Sequence, residues 1–329
     1  MRAIRFRSIG EPEVLSYDEE VPEPTPPPGG VVVRVRAAGV NFADTRFRRG
    51  TYFQRPRFPQ IPGMELAGEV VALGDGASGV AVGDRVMGFG QGSYAELAPA
   101  LAAELYPIPD GLDFATAAAL PVQGLTAHHL LGLAGRLAPG ERVLVHAAAG
   151  GVGTLAVQLA RRLGAAQVLA TAGSADKLAL ARELGADVAI DYTTEDVFER
   201  VKAATGGALC DLVLEMLGGT AALERNLRCL GPFGRMVVFG AATGDIHGTV
   251  EPIALMPKNQ SVIGYYLTPL VRRRDLCAPP LAALAGDVAA GRIRVVIGAR
   301  LPLGQAIEAH RRMEARGTVG KIILEPEGT

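Results

Sequence analysis

Two short stretches carry residue types that can do chemistry. The run Ala148-Ala149-Gly150-Gly151-Val152-Gly153 fits the pattern A-x-G-x-x-G. Gly150 lets backbone approach a pyrophosphate closely, and Gly153 lets a helix pack onto the preceding strand. The N–H groups that open such a helix bind phosphate oxygens. The second stretch is "VRAAGVNFADTRFRRGTYF", Val35 to Phe53. Asn41 closes an apolar run, Asp44 follows three residues later, and Arg46, Arg48, Arg49 and Tyr52 come next. An amide, a carboxylate and a phenol at a strand end suit a metal site, a cofactor clamp, a substrate site or a capped turn. Arg48 and Arg49 read as solvated surface charge. Asp44 reads as scaffold, bonded to backbone or to Arg46.

The glycine motif needs a strand before it and a helix after it, and both are present. Val143 to Ala147 is an apolar run, and "GTLAVQLARRLG" has helical spacing. From Glu141 onward the pattern alternates. The runs "RVLVHA", "QVLAT", "DVAID", "DLVLEML" and "RMVVFG" are separated by four helical segments, each followed by a glycine. Their continuous hydrophobicity predicts strands buried on both faces of a doubly wound parallel sheet. "SVIGYYL" adds a sixth strand. The first ~120 residues differ. They are rich in glycine and proline and carry short β-type runs such as "VVVRVRAAGV", "LAGEVVALG" and "GDRVMGF", as a compact β domain does. After Leu267 come a helix, the strand "VVIGARLPL", a second helix and a last strand "GKIIL".

The end of the second Rossmann-type strand bears on cofactor choice. NAD-preferring folds place an acid there to bind the ribose diol. Here the residues are Ala170-Thr171-Ala172-Gly173-Ser174, with no acid. Ser174 is the expected N-cap of the next helix, and Lys177 lies in its first turn. A hydroxyl and an ammonium at a helix start suit a 2′-phosphate, which favours NADP(H). The alternative for the same residues is a plain capped helix with a solvated lysine.

A catalytic metal needs three His, Cys or carboxylate ligands and an open position. The five histidines, at 128, 129, 146, 247 and 310, have no ligand spacing. His128 and His129 diverge on a helix, and His146 reads as a hydrogen-bonded core histidine. Cys210, Cys229 and Cys277 are scattered and read as buried small hydrophobes. A net charge of −1 gives no electrostatic footprint for nucleic acid or an acidic membrane. No run of about 18 apolar residues predicts a membrane span, and no signal peptide is evident, so a cytoplasmic location is expected.

The stretches "AAGVNFADTRFRRGTY", "IPGMELAGEVVALG", "GLTAHHLL", "VLVHAAAGGVG" and "GKIIL" together resemble the zinc-free quinone oxidoreductase branch (zeta-crystallin-like) of the medium-chain dehydrogenase/reductase superfamily. The resemblance covers essentially the whole chain. It implies an α/β fold: a GroES-like β domain (1–122 and 268–329) with a Rossmann domain (123–267) inserted near its C-terminal end. Zinc-dependent relatives carry a cysteine in place of Asn41 and a histidine in place of Met64, and they insert a four-cysteine lobe that this chain lacks.

The resemblance also implies a cofactor shell. Asn41 and Thr126 would flank the nicotinamide half. Gly150, Gly151, Val152 and Gly153 would hold the pyrophosphate, and Ser174 and Lys177 the 2′-phosphate. Tyr192 would lie near the adenosine, and Arg316 near its phosphate. Phe239, Gly240, Ala241 and Tyr265 would line the nicotinamide ribose. Tyr52 matches a tyrosine of the substrate pocket, and Asn41 and Tyr52 would donate hydrogen bonds to the reacting oxygen. The expected activity is NADPH-dependent reduction of a quinone. An enoyl or alkenal reductase and a non-enzymatic NADPH-binding protein are the competing readings. A homodimer is expected, with "SVIGYYL" extending the sheet across a two-fold axis.

Overall fold

The computed structural model describes residues 1–326. The described chain divides into two compact units, residues 1–125 with 268–326 and residues 126–267.

The first unit is mostly β. Strands β1 (Ala3–Phe6) and β2 (Leu15–Asp18) form an antiparallel pair. The main sheet holds β3 (Gly30–Val40), β4 (Glu65–Leu73), β5 (Arg85–Phe89), β6 (Leu97–Leu101) and β7 (Leu105–Pro107). Its order places β3 next to β4, β4 next to β5 and β5 next to β7, while β6 also pairs with β3. The strands of the second unit are β8 (Arg142–Val145), β9 (Gln167–Ala172), β10 (Val188–Asp191), β11 (Cys210–Glu215), β12 (Leu230–Val238) and β13 (Ser261–Gly264). The chain then returns to the first unit with β14 (Ile297–Pro302) and β15 (Lys321–Glu325), and β15 lies antiparallel against β3. Strand β3 is therefore central. Its apolar residues Val31, Val33, Val35 and Val40 are fully buried in the core of this unit. The short strands β2 and β7 have no counterpart in the sequence reading, since their runs are too brief to show a period of two.

The helices are α1 (Phe42–Arg48), α2 (Phe114–Ala118), α3 (Pro121–His128), α4 (Gly151–Arg162), α5 (Ala175–Glu183), α6 (Val197–Ala204), α7 (Thr220–Arg228), α8 (Arg274–Ala289) and α9 (Ala306–Glu314). Helices α4 to α9 lie where the sequence reading places helices, while α1 stands where it offered only a capped turn. In the second unit the sheet is parallel, in the order β10-β9-β8-β11-β12-β13. Sequence order reverses between β8 and β11, and in such sheets ligands bind at the carboxyl ends of the strands there. Gly164, Gly185 and Gly206, which follow α4, α5 and α6, all have positive φ. Helix α7 differs: its expected stop, Gly231, lies inside β12.

Arg48 departs from the sequence reading. Its side chain is fully buried and paired with Glu314, which also accepts from Arg49 Nε at 3.0 Å. Arg49 in addition reaches Glu11 at 2.6 Å. Only the fold brings Glu314, at the end of α9, to α1, so local sequence could not reveal the pairing. Removing one partner of a buried ion pair leaves an uncompensated charge. Glu314→Gln is therefore expected to lower the unfolding free energy by about 2–3 kcal/mol in urea titrations.

Candidate functional site

In the second unit, strand β8 ends at Val145 and Ala147 turns into the left-handed region at φ 48°. Two hydrogen bonds hold that turn: Ala148 N–H donates to Thr171 O at 3.0 Å, and Gly150 N–H to Ala147 O at 2.8 Å. Gly150 is the N-cap of α4, and Thr154 N–H donates to Gly150 O at 2.9 Å. The amides of Gly151, Val152 and Gly153 precede that bond and form the open N–H end of the helix. A Cβ on Gly153 would strike the Ala147 carbonyl oxygen and come within 2.7 Å of Ala148 Cα. Only glycine lets the helix sit this close to the turn. The cradle fits a pyrophosphate, with the helix dipole and open amides aimed at it.

A buried polar chain supports this cradle. His146 is 3 % exposed. Its Nδ1 lies 3.0 Å from Thr171 Oγ1, and its Nε2 lies 2.9 Å from Asn226 Oδ1. Asn226 Nδ2 donates to Glu215. The amide orientation of Asn226 makes Nε2 the protonated nitrogen of a neutral imidazole, and burial pushes the His146 pKa down. Glu215 also accepts from the Leu217 and Gly218 amides at 2.6 and 2.8 Å. The expected core role of His146 thus extends into a network that ties β8, β9 and β11 to the turn after β11.

Ser174 is the N-cap of α5, as expected, and its hydroxyl makes no capping bond. Ser174 is exposed, and burial lowers the pKa of Lys177 in the same turn. Tyr192 is half exposed and lies against Gly173, where a Cβ would meet its Oη at 2.6 Å. Gly173, Ser174 and Tyr192 therefore stand together after β9 and β10. Phe239, Gly240 and Ala241 follow β12, and Ala242 N–H is tied to Met216 O at 2.8 Å. Tyr265 follows β13, and its Oη lies 2.9 Å from His129 Nδ1. Thr126 is buried within α3. Arg316 belongs to the first unit, on the turn after α9 with φ 55°.

In the first unit, Asn41 is the N-cap of α1. Asp44 accepts from the Asn41 amide at 2.8 Å and from Tyr94 Oη at 3.0 Å. It is scaffold, as expected, though its side-chain partner is Tyr94 and not Arg46. The Asn41 side chain bonds chiefly to charged residues of β4 and β15. Its Nδ2 donates to Glu65 Oε1 at 2.8 Å, and its Oδ1 accepts from Lys321 Nζ at 2.8 Å. Glu65 pairs directly with Lys321, and both are fully buried. Glu65 Oε2 accepts from the Val122 amide at 2.8 Å. Register explains the cluster. Lys321 lies one step beyond the Val40–Ile322 pair, opposite Asn41, and Glu65 lies one step beyond Ala38–Leu66, opposite Gly39. A Cβ on Gly39 would strike the Glu65 carboxylate and come within 2.6 Å of Lys321 Cε. Tyr52 is half-buried on the loop after α1, its ring 5.7 Å from that of the exposed Phe53.

Glu65, Lys321 and Tyr94 have no role in the sequence reading. One signal was present: a charged residue directly precedes an apolar run at Glu65 and again at Lys321, and buried charges demand partners of opposite sign. Among the described residues no group of three or more His, Cys, Asp or Glu side chains could hold a metal ion. Nor do the residues here fit a zinc ion, because the Asn41 amide and the Glu65 carboxylate are bonded to an ammonium of the chain itself.

Comparison with known proteins places these features. Residues 27–110 match the family described as alcohol dehydrogenase GroES-like domain, and residues 151–275 the family described as zinc-binding dehydrogenase. The chain is 39% identical to a quinone oxidoreductase of Pseudomonas aeruginosa, over 99% of both chains. It belongs to the quinone oxidoreductase branch of the medium-chain dehydrogenase/reductase superfamily. Within this branch it is also 35% identical to a human quinone oxidoreductase, over 98% of this chain and 97% of that one. An Escherichia coli quinone oxidoreductase, solved in complex with NADPH, superposes with a TM-score of 0.92 at 35% identity, covering 99% of this chain and all of that one. No helix among the described residues is long and apolar enough to cross a membrane.

Asp44 gives this cluster a pH dependence. Burial pushes its pKa up to about 6 from 3.8, opposed by the Asn41 amide, Lys321 and Tyr94. The folded state therefore holds this proton to higher pH than the unfolded chain does. The resulting stability is fully present below about pH 4 and is lost as pH rises through 6. Between pH 5 and pH 7.5 the loss is on the order of 1 kcal/mol. Asp44→Asn is expected to abolish this slope. Thermal midpoints of the two proteins across that range check it, and the variant should gain on the wild type as pH rises.

Proposed function

We propose that the chain is an NADPH-dependent quinone oxidoreductase that reduces a quinone or related conjugated carbonyl without a metal. The observation that carries the reading is the pyrophosphate cradle at Gly150–Gly153, followed by an acid-free β9 end with Ser174 and Lys177. Quinone oxidoreductase relatives of full length support it.

Bound NADPH supplies the hydride from its nicotinamide C4. The chain binds and orients. The open amides of Gly151, Val152 and Gly153 hold the pyrophosphate. The Ser174 hydroxyl and Lys177 hold the 2′-phosphate, whose charge offsets the desolvation of that lysine. Tyr192 flanks the adenosine, and Arg316 serves its phosphate. Thr126, Phe239, Gly240, Ala241 and Tyr265 line the nicotinamide half. Asn41 contacts the reacting end, and the Tyr52 hydroxyl donates to the acceptor oxygen. A simple ketone would become an alkoxide that needs a Lewis acid or strong proton donor. A quinone spreads the developing charge onto a distal oxygen, so hydrogen-bond donors and positioning suffice.

The partner of the chain is a second copy. Strand β13 is the outer strand of its sheet and is partly exposed, so its free edge can pair across a two-fold axis.

A panel of quinones and enones with NADPH, run in chelator, tests the activity. Quinone turnover is expected to persist. Selective turnover of enones would favour an alkenal or enoyl reductase, and no turnover of any acceptor would sink the enzyme reading. Strong inhibition by chelator would sink the metal-free one. Lys177→Ala is expected to weaken NADPH binding about tenfold, the worth of one charge-assisted hydrogen bond, and NADH binding far less. Equal losses would remove Lys177 from the phosphate site.

A further inference from the structure

The Asn41 amide is less free than a donor to the reacting oxygen needs to be. One Nδ2 hydrogen goes to Glu65 Oε1 at 2.8 Å, and the other faces Gly39 O at 3.4 Å. Oδ1 takes one bond, from Lys321 Nζ at 2.8 Å, and an amide oxygen has two lone pairs. The alternative amide orientation would set NH2 against an ammonium and C=O against a carboxylate. The buried charges therefore decide which way Asn41 points.

We propose that Lys321, together with Glu65, is a positioning pair that fixes Asn41 with its carbonyl oxygen available to the ligand, so that Asn41 accepts a hydrogen bond from a ligand N–H or O–H. Asn41 then orients a donor: an amide or hydroxyl of the cofactor's nicotinamide half, or a hydroxyl of the reduced acceptor. The part of donor to the acceptor oxygen falls to Tyr52. The inference rests on Asn41 facing the reacting end, as proposed above. Two features mark the pair as built for this place. Gly39 leaves the space that both charged side chains fill, and the ammonium and carboxylate, each fully buried, converge on one amide.

The test is ligand binding by the full chain, read by calorimetry. The double variant Glu65→Gln/Lys321→Met removes both charges, so neither is left buried alone. Three affinities are measured: NADPH, 2′,5′-ADP, which lacks the nicotinamide half, and a hydroquinone added to the NADP⁺ complex. The variant is expected to bind 2′,5′-ADP within about twofold of wild type and to lose about tenfold for one of the other two, the loss of one oriented hydrogen bond. Loss for NADPH places the donor on the cofactor, and loss for hydroquinone places it on the acceptor. Asn41→Ala should cause the same loss, and adding the double variant to it should cost nothing more. Unchanged affinity for both ligands overturns the proposal, as does an equal fall for 2′,5′-ADP. If the double variant does not fold, Glu65→Asp takes its place, since it keeps both charges but withdraws the carboxylate from the Asn41 side chain, with the same expected loss and the same refuting outcomes. A wild-type chain that binds neither NADPH nor 2′,5′-ADP would instead overturn the functional reading on which this one stands.

Discussion

The first unit is organised around one buried ion pair. Glu65 and Lys321 open two strands that flank β3, and both reach Asn41 at its end. Taking two charges out of water costs several kcal/mol per ion, and the cost is offset only when geometry and further hydrogen bonds are good. Here they are. The carboxylate accepts from Asn41, Lys321 and the Val122 amide, and the ammonium is shared between a carboxylate and an amide oxygen. The pair joins β4, β3 and β15 at the point where α1 begins, so strand register and the direction of a site side chain are set together.

The second unit solves a related problem with neutral groups as well as a charge. The glycine turn before α4 is backbone, and backbone turns shift easily unless something beneath holds them. Thr171, His146, Asn226 and Glu215 form that support, passing from β9 through β8 to the amides after β11. Each polar atom in the chain has a partner, so burial costs little and rigidity is gained. Ala147 holds its left-handed turn above this network, and Gly153 admits the helix.

Much of this was legible in the sequence because it is local. The glycine spacing after an apolar run needs only its own neighbours to be understood, and the alternating strands and helices carry their own periodicity. The resemblance likewise rested on contiguous stretches. Long-range charge pairing was not legible. Arg48 and Arg49 look like solvent-facing residues until α9 brings Glu314 to them. The bonds that hold the Asn41 side chain were not legible either, because its partners lie far along the chain. Ser174 was placed correctly at a helix start, but whether its hydroxyl caps the helix depends on a rotamer that no spacing rule fixes.

The sequence separation of the buried pair also bears on how the chain is made. Lys321 stands 256 positions after Glu65 and 280 after Asn41. On a ribosome, the carboxylate and the amide are finished long before their cation exists. The unit made of residues 126–267 is continuous and is complete before then. The earlier β segment must wait, its carboxylate hydrated and its sheet open at β3, until β15 arrives. The residue that neutralises Glu65 thus also closes this sheet, and the local geometry of Asn41 becomes fixed only once Lys321 has been made.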